Sequence, residues 1–231
     1  MNLLDIIILL ILLMGFISGF KRGLIKQGVL TVGTILVVVL AFAFKNPLSM
    51  TLYKHCPFFT VGLLENYSIL NILLYELISF CILLSIFSLL LAIIVKISGL
   101  VEKLVRATII LALPSKLLGG LLGVLEFYVF SFILLIIITM PIFSVSNSSI
   151  IQESKIKNVM LSNSKVVNGL TGGMVKSINE INDLLHDEDK LGTKAFNCKA
   201  LKVLVKNKVV SIDSVNYLKD NNKIDNSCKV K

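Results

Sequence analysis

Glu126 is the only charged residue between Leu117 and Phe143. A carboxylate among hydrocarbon costs several kcal/mol unless it is paired, wetted or protonated, so its position sets what it can do. Two placements fit. Counting from Lys116 at about 1.5 Å per residue puts Glu126 roughly 15 Å deep, near the middle of a core of about 30 Å, where it would act as a proton-binding or substrate-facing group. In the other placement the uncharged run from Phe127 to Phe143 spans the bilayer alone, and Glu126 rests at the inner interface, paired with Lys116 or a neighbouring loop.

Other groupings lack the spacing that chemistry requires. His186 beside Asp187 and Glu188 has no second His or Cys to complete a metal site, and the adjacent His55 and Cys56 are not at ligand spacing. Gly172-Gly173-Met174-Val175-Lys176-Ser177 resembles a phosphate loop only superficially, since two residues separate Gly173 from Lys176 and no strand leads in. No Gly-x-Ser-x-Gly elbow occurs. These residues support no catalysis, cofactor or metal, and the chain is expected not to be an enzyme.

The elements that must position Glu126 follow from composition. Of 231 residues 55% are apolar and 16% charged, with a mean hydropathy of +0.88. Soluble domains carry about a quarter charged residues, so one ordinary soluble core is excluded. Residues 1–143 hold nine Lys or Arg against five acids, and residues 144–231 hold fourteen Lys against nine acids, which sum to the net +9. The fold class expected is all-α: a membrane domain over 1–143, then a polar C-terminal tail over 144–231. Membrane helices are predicted at about 3–20, 24–44, 69–95 and 117–143, each near the roughly 20 residues a bilayer requires. The runs are continuous and do not alternate, which excludes barrel strands. Nothing basic precedes Leu3 while Lys21 and Arg22 follow Phe20, the reverse of a signal peptide, so the first helix is expected to be retained.

Basic residues set the orientation. Lys21, Arg22 and Lys26 lie between the first two helices, and Lys96, Lys103, Arg106 and Lys116 between the last two; the opposite side has only Lys45 and Lys54 in its loop. Basic loops stay in the cytoplasm, so both the N-terminus and the tail are expected outside it, in a multi-pass protein of the bacterial plasma membrane. Residues 98–112 place Leu100, Val101, Leu104, Val105, Thr108 and Ile109 on one face and Glu102, Lys103 and Arg106 on another, which predicts an amphipathic helix on the inner leaflet. Asp5 and Glu76 fall near span ends and are expected in the headgroup layer with no chemical role.

Gly15, Gly19 and Gly23 lie four apart, as do Gly119 and Gly123, with Gly120 beside the latter pair. Such strips lack side chains and let two helices approach closely, so the first and fourth helices are expected to pack there. In the tail, Val175, Ile178, Ile181, Leu184 and Leu185 form a helical stripe. A second patch from Leu201 to Ile212 fits strand or helix, and residues 220–231 read as disordered. Two short elements make a small core, so the tail reads as a surface appendage. Cys56, Cys198 and Cys228 fall on the predicted outer side, where a Cys198–Cys228 bridge is a candidate. The tail's lysines have few aromatic residues among them and lie on the wrong side for nucleic acid.

Several of these features together resemble the CvpA family of bacterial inner-membrane proteins, named for colicin V production. They are Asp5, the run Gly19-Phe20-Lys21-Arg22-Gly23-Leu24-Ile25-Lys26, Leu100-Val101-Glu102-Lys103, Lys116-Leu117-Leu118-Gly119-Gly120-Leu121-Leu122-Gly123, and the segment around Ser154. The resemblance covers about residues 1 to 165. It departs from the family at Glu126-Phe127, where the pattern often has a basic residue and Gly, and at Ser115, where an Asp often stands. The resemblance implies an integral membrane protein linked to toxin production or export and to envelope integrity. Some relatives carry an extracytoplasmic protease domain, of which the tail shows no sign. The readings open at this level are a non-enzymatic accessory protein, an oligomeric transporter or channel protomer using Glu126, and an anchor for an extracytoplasmic sensing or partner-binding tail. The partners implied are the lipid bilayer, further copies of the chain or other membrane proteins.

Overall fold

The computed structural model describes residues 2–97, 112–143, 149–162, 173–186 and 192–228. Among these residues every regular element is a helix: α1 (Leu3–Arg22), α2 (Leu24–His55), α3 (Leu63–Asn66), α4 (Ser68–Ile97), α5 (Ala112–Ile138), α6 (Ser149–Gln152), α7 (Lys155–Ser162), α8 (Met174–His186), α9 (Thr193–Lys206) and α10 (Ile212–Asp220). Four of them, α1, α2, α4 and α5, are long and apolar enough to cross a membrane. Many of their large apolar side chains face outward, among them Leu10, Met14, Val32, Leu36, Leu89, Ile94, Leu121 and Phe130. Such a surface is stable only against acyl chains.

Helix bounds differ from the sequence reading for local reasons. α1 stops at Gly23, whose φ of +76° suits glycine and turns the chain directly into α2. α5 begins at Ala112 and takes Pro114 into its first turn, where a missing N–H breaks no helical bond. It ends at Ile138, before Pro141, rather than at 143. α2 continues through Pro47 to His55, giving 32 residues. At 1.5 Å per residue that is about 48 Å, so roughly a third of the helix extends beyond a hydrocarbon core of about 30 Å. The expected loop after residue 44 is therefore helix. The interfacial helix expected over 98–112, with Lys103 and Arg106, lies outside the described residues apart from Ala112, which opens α5.

The chain forms two compact units, residues 1–41, 84–137 and 147–162 in the first and residues 42–83, 138–146 and 163–231 in the second. In the first, the glycine strips of α1 and α5 face each other in antiparallel order. A Cβ placed on Gly15 would lie 2.7 Å from the Gly123 carbonyl oxygen, and one on Gly119 would lie 2.6 Å from that of Gly19. Gly120 meets the Phe16 ring, while Gly23 lies against Gly119 as well as forming the turn. With no hydrophobic drive between helices in lipid, this close backbone approach supplies the dispersion contact that pairs them.

The second unit overturns the picture of the tail as an appendage. The C-terminal part of α2 and the start of α4 share a core with α8, α9 and α10: Tyr53, Ile69, Leu73, Ile178, Ile181, Phe196, Leu204 and Leu218 are all fully buried. Tyr67 packs edge-on against Phe196 at 5.0 Å, and Asn197 accepts a hydrogen bond from the Ile69 amide at 3.3 Å. The patch from Leu201 to Ile212 is helical to Lys206 and then turns through Lys208, at φ +57°, into α10. Residues 221–228 are not a disordered end. Ile224 and Cys228 are buried, Cys228 is bonded to Cys198, and Lys219 Nζ donates to the Cys228 carbonyl at 2.5 Å. The Ser227 amide and hydroxyl donate to Asp225 in this turn and hold its carboxyl below the usual carboxylate range. Low apolar content in residues 220–228 hid this order, because the tie is a covalent bridge and a few polar contacts rather than a hydrophobic stripe.

Candidate functional site

Glu126 projects from α5 into a polar cluster built on α2. Gln27, Thr31 and Thr34 lie at i, i+4 and i+7 and so share one face of that helix. Gln27 Nε2 donates to Glu126 Oε2 and, at 3.2 Å, to Thr31 Oγ1. Thr34 Oγ1 donates to Glu126 Oε1 at 3.4 Å, while Thr31 Oγ1 donates to the Leu122 carbonyl at 3.2 Å. Arg22, at the end of α1, donates to Gln27 Oε1 at 3.3 Å and lies 3.7 Å from Glu126 Oε2. Helical side chains tilt toward their own N-terminus, and α5 runs inward from the basic side, so Glu126 reaches back toward Arg22. The ion pair thus comes from the α1–α2 junction and not from Lys116, which is exposed at the start of α5. Lys21 and Lys26 are likewise exposed. Ser115 replaces any acid there with a hydroxyl that accepts from the Leu24 amide at 3.3 Å.

Asp5 and Glu76, two acids expected to have no chemical role, are both buried within the protein and fully engaged. Asp5 accepts from the Asn2 amide at 3.1 Å, from Ser154 Oγ at 2.6 Å and from the Ile156 amide at 3.1 Å. It therefore caps α1 and ties it to the N-terminus of α7, where the helix dipole favours a negative charge. Glu76 is wholly buried on α4. Its Oε2 accepts from Lys45 Nζ at 2.5 Å, and its Oε1 accepts from Ser49 Oγ at 2.7 Å and Tyr53 OH at 2.9 Å. Lys45 also donates to Asn46 Oδ1 at 2.8 Å and to the Val209 carbonyl at 2.6 Å, so all three of its N–H groups have acceptors. The signal lay in the sequence. Lys45, Ser49 and Tyr53 recur every four residues, which is one face of a helix if α2 continues past residue 44. A loop reading of that segment concealed it.

Beside this cluster, buried Asn71 fixes the loop after α2 by accepting from the Phe59 amide at 2.8 Å and donating to the Phe59 and Leu64 carbonyls. Lys223 donates to the carbonyls of Tyr53 and Cys56, holding the C-terminal turn on the end of α2. Cys198 and Cys228 form the disulfide. His55 sits exposed with Nδ1 2.9 Å from the Thr51 carbonyl.

This arrangement defines a multi-pass helical membrane protein in which, among the described residues, the buried charges Asp5, Lys45 and Glu76 are each bonded to distant segments of the same chain. It belongs to the family described as Colicin V production protein, whose model matches residues 4–171. Among its relatives is the uncharacterized transmembrane protein YshB of Bacillus subtilis (strain 168), 32% identical over 173 residues, covering 73% of this chain and 94% of the relative. No solved structure matches it. The family match ends before α8, so the Lys45 bond to Val209 joins a helix within the matched region to a helical tail beyond it.

Proposed function

We propose that this protein is a non-enzymatic accessory membrane protein, serving toxin or bacteriocin production or export and maintenance of the envelope by presenting its helical tail to other membrane or secreted proteins. The observation that carries this reading is the Lys45–Glu76–Val209 connection, in which a buried lysine paired with Glu76 also donates a hydrogen bond to the backbone of the tail. A rigidly mounted surface suits partner assembly. The family description supplies the link to a secreted toxin. On this reading the tail lies outside the cytoplasm; the basic loops support this, as does the Cys198–Cys228 bridge, since disulfides persist in oxidising compartments. The transporter reading draws on Glu126, yet Gln27, Thr34 and Arg22 already account for that carboxylate as a helix-to-helix tie.

Complementation of a strain lacking the gene tests this reading. The full chain and Glu126→Gln should both restore secreted bacteriocin activity and envelope resistance to detergent, whereas deletion of residues 172–231 should lose the activity. Loss of function in Glu126→Gln with normal membrane levels would favour transport instead. Labelling Cys56, and single cysteines placed in the two basic loops, with an impermeant maleimide on intact cells decides orientation: Cys56 should react and the loop cysteines should not.

A further inference from the structure

We propose that α6 and α7 form a lipid-binding device, seated in the headgroup layer of the leaflet where α1 begins and held at that depth by Asp5. The depth comes from direct bonds. Asp5 lies two residues into α1 and bonds to Ser154 Oγ at 2.6 Å and the Ile156 amide at 3.1 Å, while Asn2 Nδ2 donates to the Ile150 carbonyl at 2.6 Å. In that same first stretch of α1, Leu3, Ile6 and Ile7 are 58%, 45% and 44% exposed, so acyl chains begin at the level of its first turns. The N-terminus of α7 is therefore fixed within about one helical turn, roughly 5 Å, of the hydrocarbon edge.

The side chains of the two short helices fit that place. Ile151 and Met160 are buried inward, whereas Ile150 and Val159 are 46% and 57% exposed. In water these two residues would be a cost; at the edge of the acyl region they are stabilising. Lys155 is exposed four residues before Val159 and so lies on the same face, with Lys157 half-buried nearby. A lysine stem can lie along the acyl boundary while its ammonium reaches lipid phosphate, and each such contact favours anionic lipid. The partner is thus a phospholipid surface, preferentially an anionic one, and the inference holds for either orientation of the chain.

The chain contains no Trp, so one introduced Trp reports its own surroundings. Val159→Trp and, as an independent probe, Ile150→Trp would be made in the full chain and reconstituted in phosphatidylcholine vesicles. Leu10→Trp on the lipid face of α1 and Lys202→Trp on the exposed face of α9 serve as membrane and water references. Lipids brominated near the carbonyl end should quench the α6–α7 probes at least about twofold more than the Lys202→Trp reference, and aqueous iodide should quench them less than that reference. Replacing part of the phosphatidylcholine by phosphatidylglycerol should increase the bromolipid quenching, and Lys155→Gln with Lys157→Gln should abolish that increase. Iodide quenching equal to the water reference would overturn the proposal. So would shielding from both quenchers, which would mean a protein surface covers the face, or a phosphatidylglycerol response unchanged by the lysine substitutions.

Discussion

Removing the charge of Glu76 should be among the most damaging single changes in the molecule. Glu76→Leu would leave Lys45, a residue only 4% exposed, with only Asn46 Oδ1 and the Val209 carbonyl as partners. Breaking a buried ion pair from one side costs about 3–5 kcal/mol, because the remaining charge is uncompensated. Ser49 and Tyr53 lose their best acceptor, but Ser49 keeps the Asn46 carbonyl at 3.0 Å and Tyr53 keeps that of Ile72 at 3.5 Å, so their contribution is about 1 kcal/mol. The expected loss is thus about 4–6 kcal/mol, and Lys45→Met should cost about 3–5 kcal/mol by the same argument. Lys45→Met combined with Glu76→Leu removes both charges and fills the space with apolar atoms, so the pair should lose no more than about 2 kcal/mol. Unfolding by SDS in mixed micelles, followed by circular dichroism, measures all three variants against the parent. Single variants that each cost under about 1 kcal/mol, or a double variant equal to the sum of the singles, would refute a buried, coupled pair.

The remaining predictions use the same measurement. Gly19→Val places a branched side chain against the Gly119 and Gly123 backbone, which cannot rotate away, and should cost at least about 1–3 kcal/mol; Gly28→Ala, whose added carbon would meet only the Leu122 side chain at 3.7 Å, tests whether any glycine change does this. Replacing Cys198 and Cys228 by Ser opens a loop closed across a sequence separation of 30 residues and should cost about 3–4 kcal/mol, with mobility on non-reducing gels becoming that of the reduced parent. Glu126→Gln keeps a carbonyl oxygen to accept from Gln27 and turns its new amide N–H to the Thr34 hydroxyl, which then accepts, so it loses only an ion pair to an Arg22 side chain that is 37% exposed, a loss below about 1 kcal/mol. Glu126→Leu strands one N–H of the fully buried Gln27 amide and should cost about 1–3 kcal/mol.

The chain itself determined the membrane architecture. Four apolar runs identify four spans because a bilayer fixes both the length and the character of what crosses it, and α1, α2, α4 and α5 lie on those runs. Glycines four apart identified where α1 and α5 meet, since spacing alone decides what shares a helix face. Hydropathy could not show where α2 ends, because it falls at Lys45 whether the helix stops there or leaves the membrane intact; only the four-residue recurrence of Lys45, Ser49 and Tyr53 carried that signal. With that extension unseen, Glu76 looked like an acid at a membrane edge and the tail like an appendage without a core. Only the tertiary structure brings Val209, 164 residues along the chain, to Lys45, and Ser154, 149 residues along, to Asp5. The identity of a buried charge can be read locally, but the partner that makes its burial tolerable is chosen by the fold.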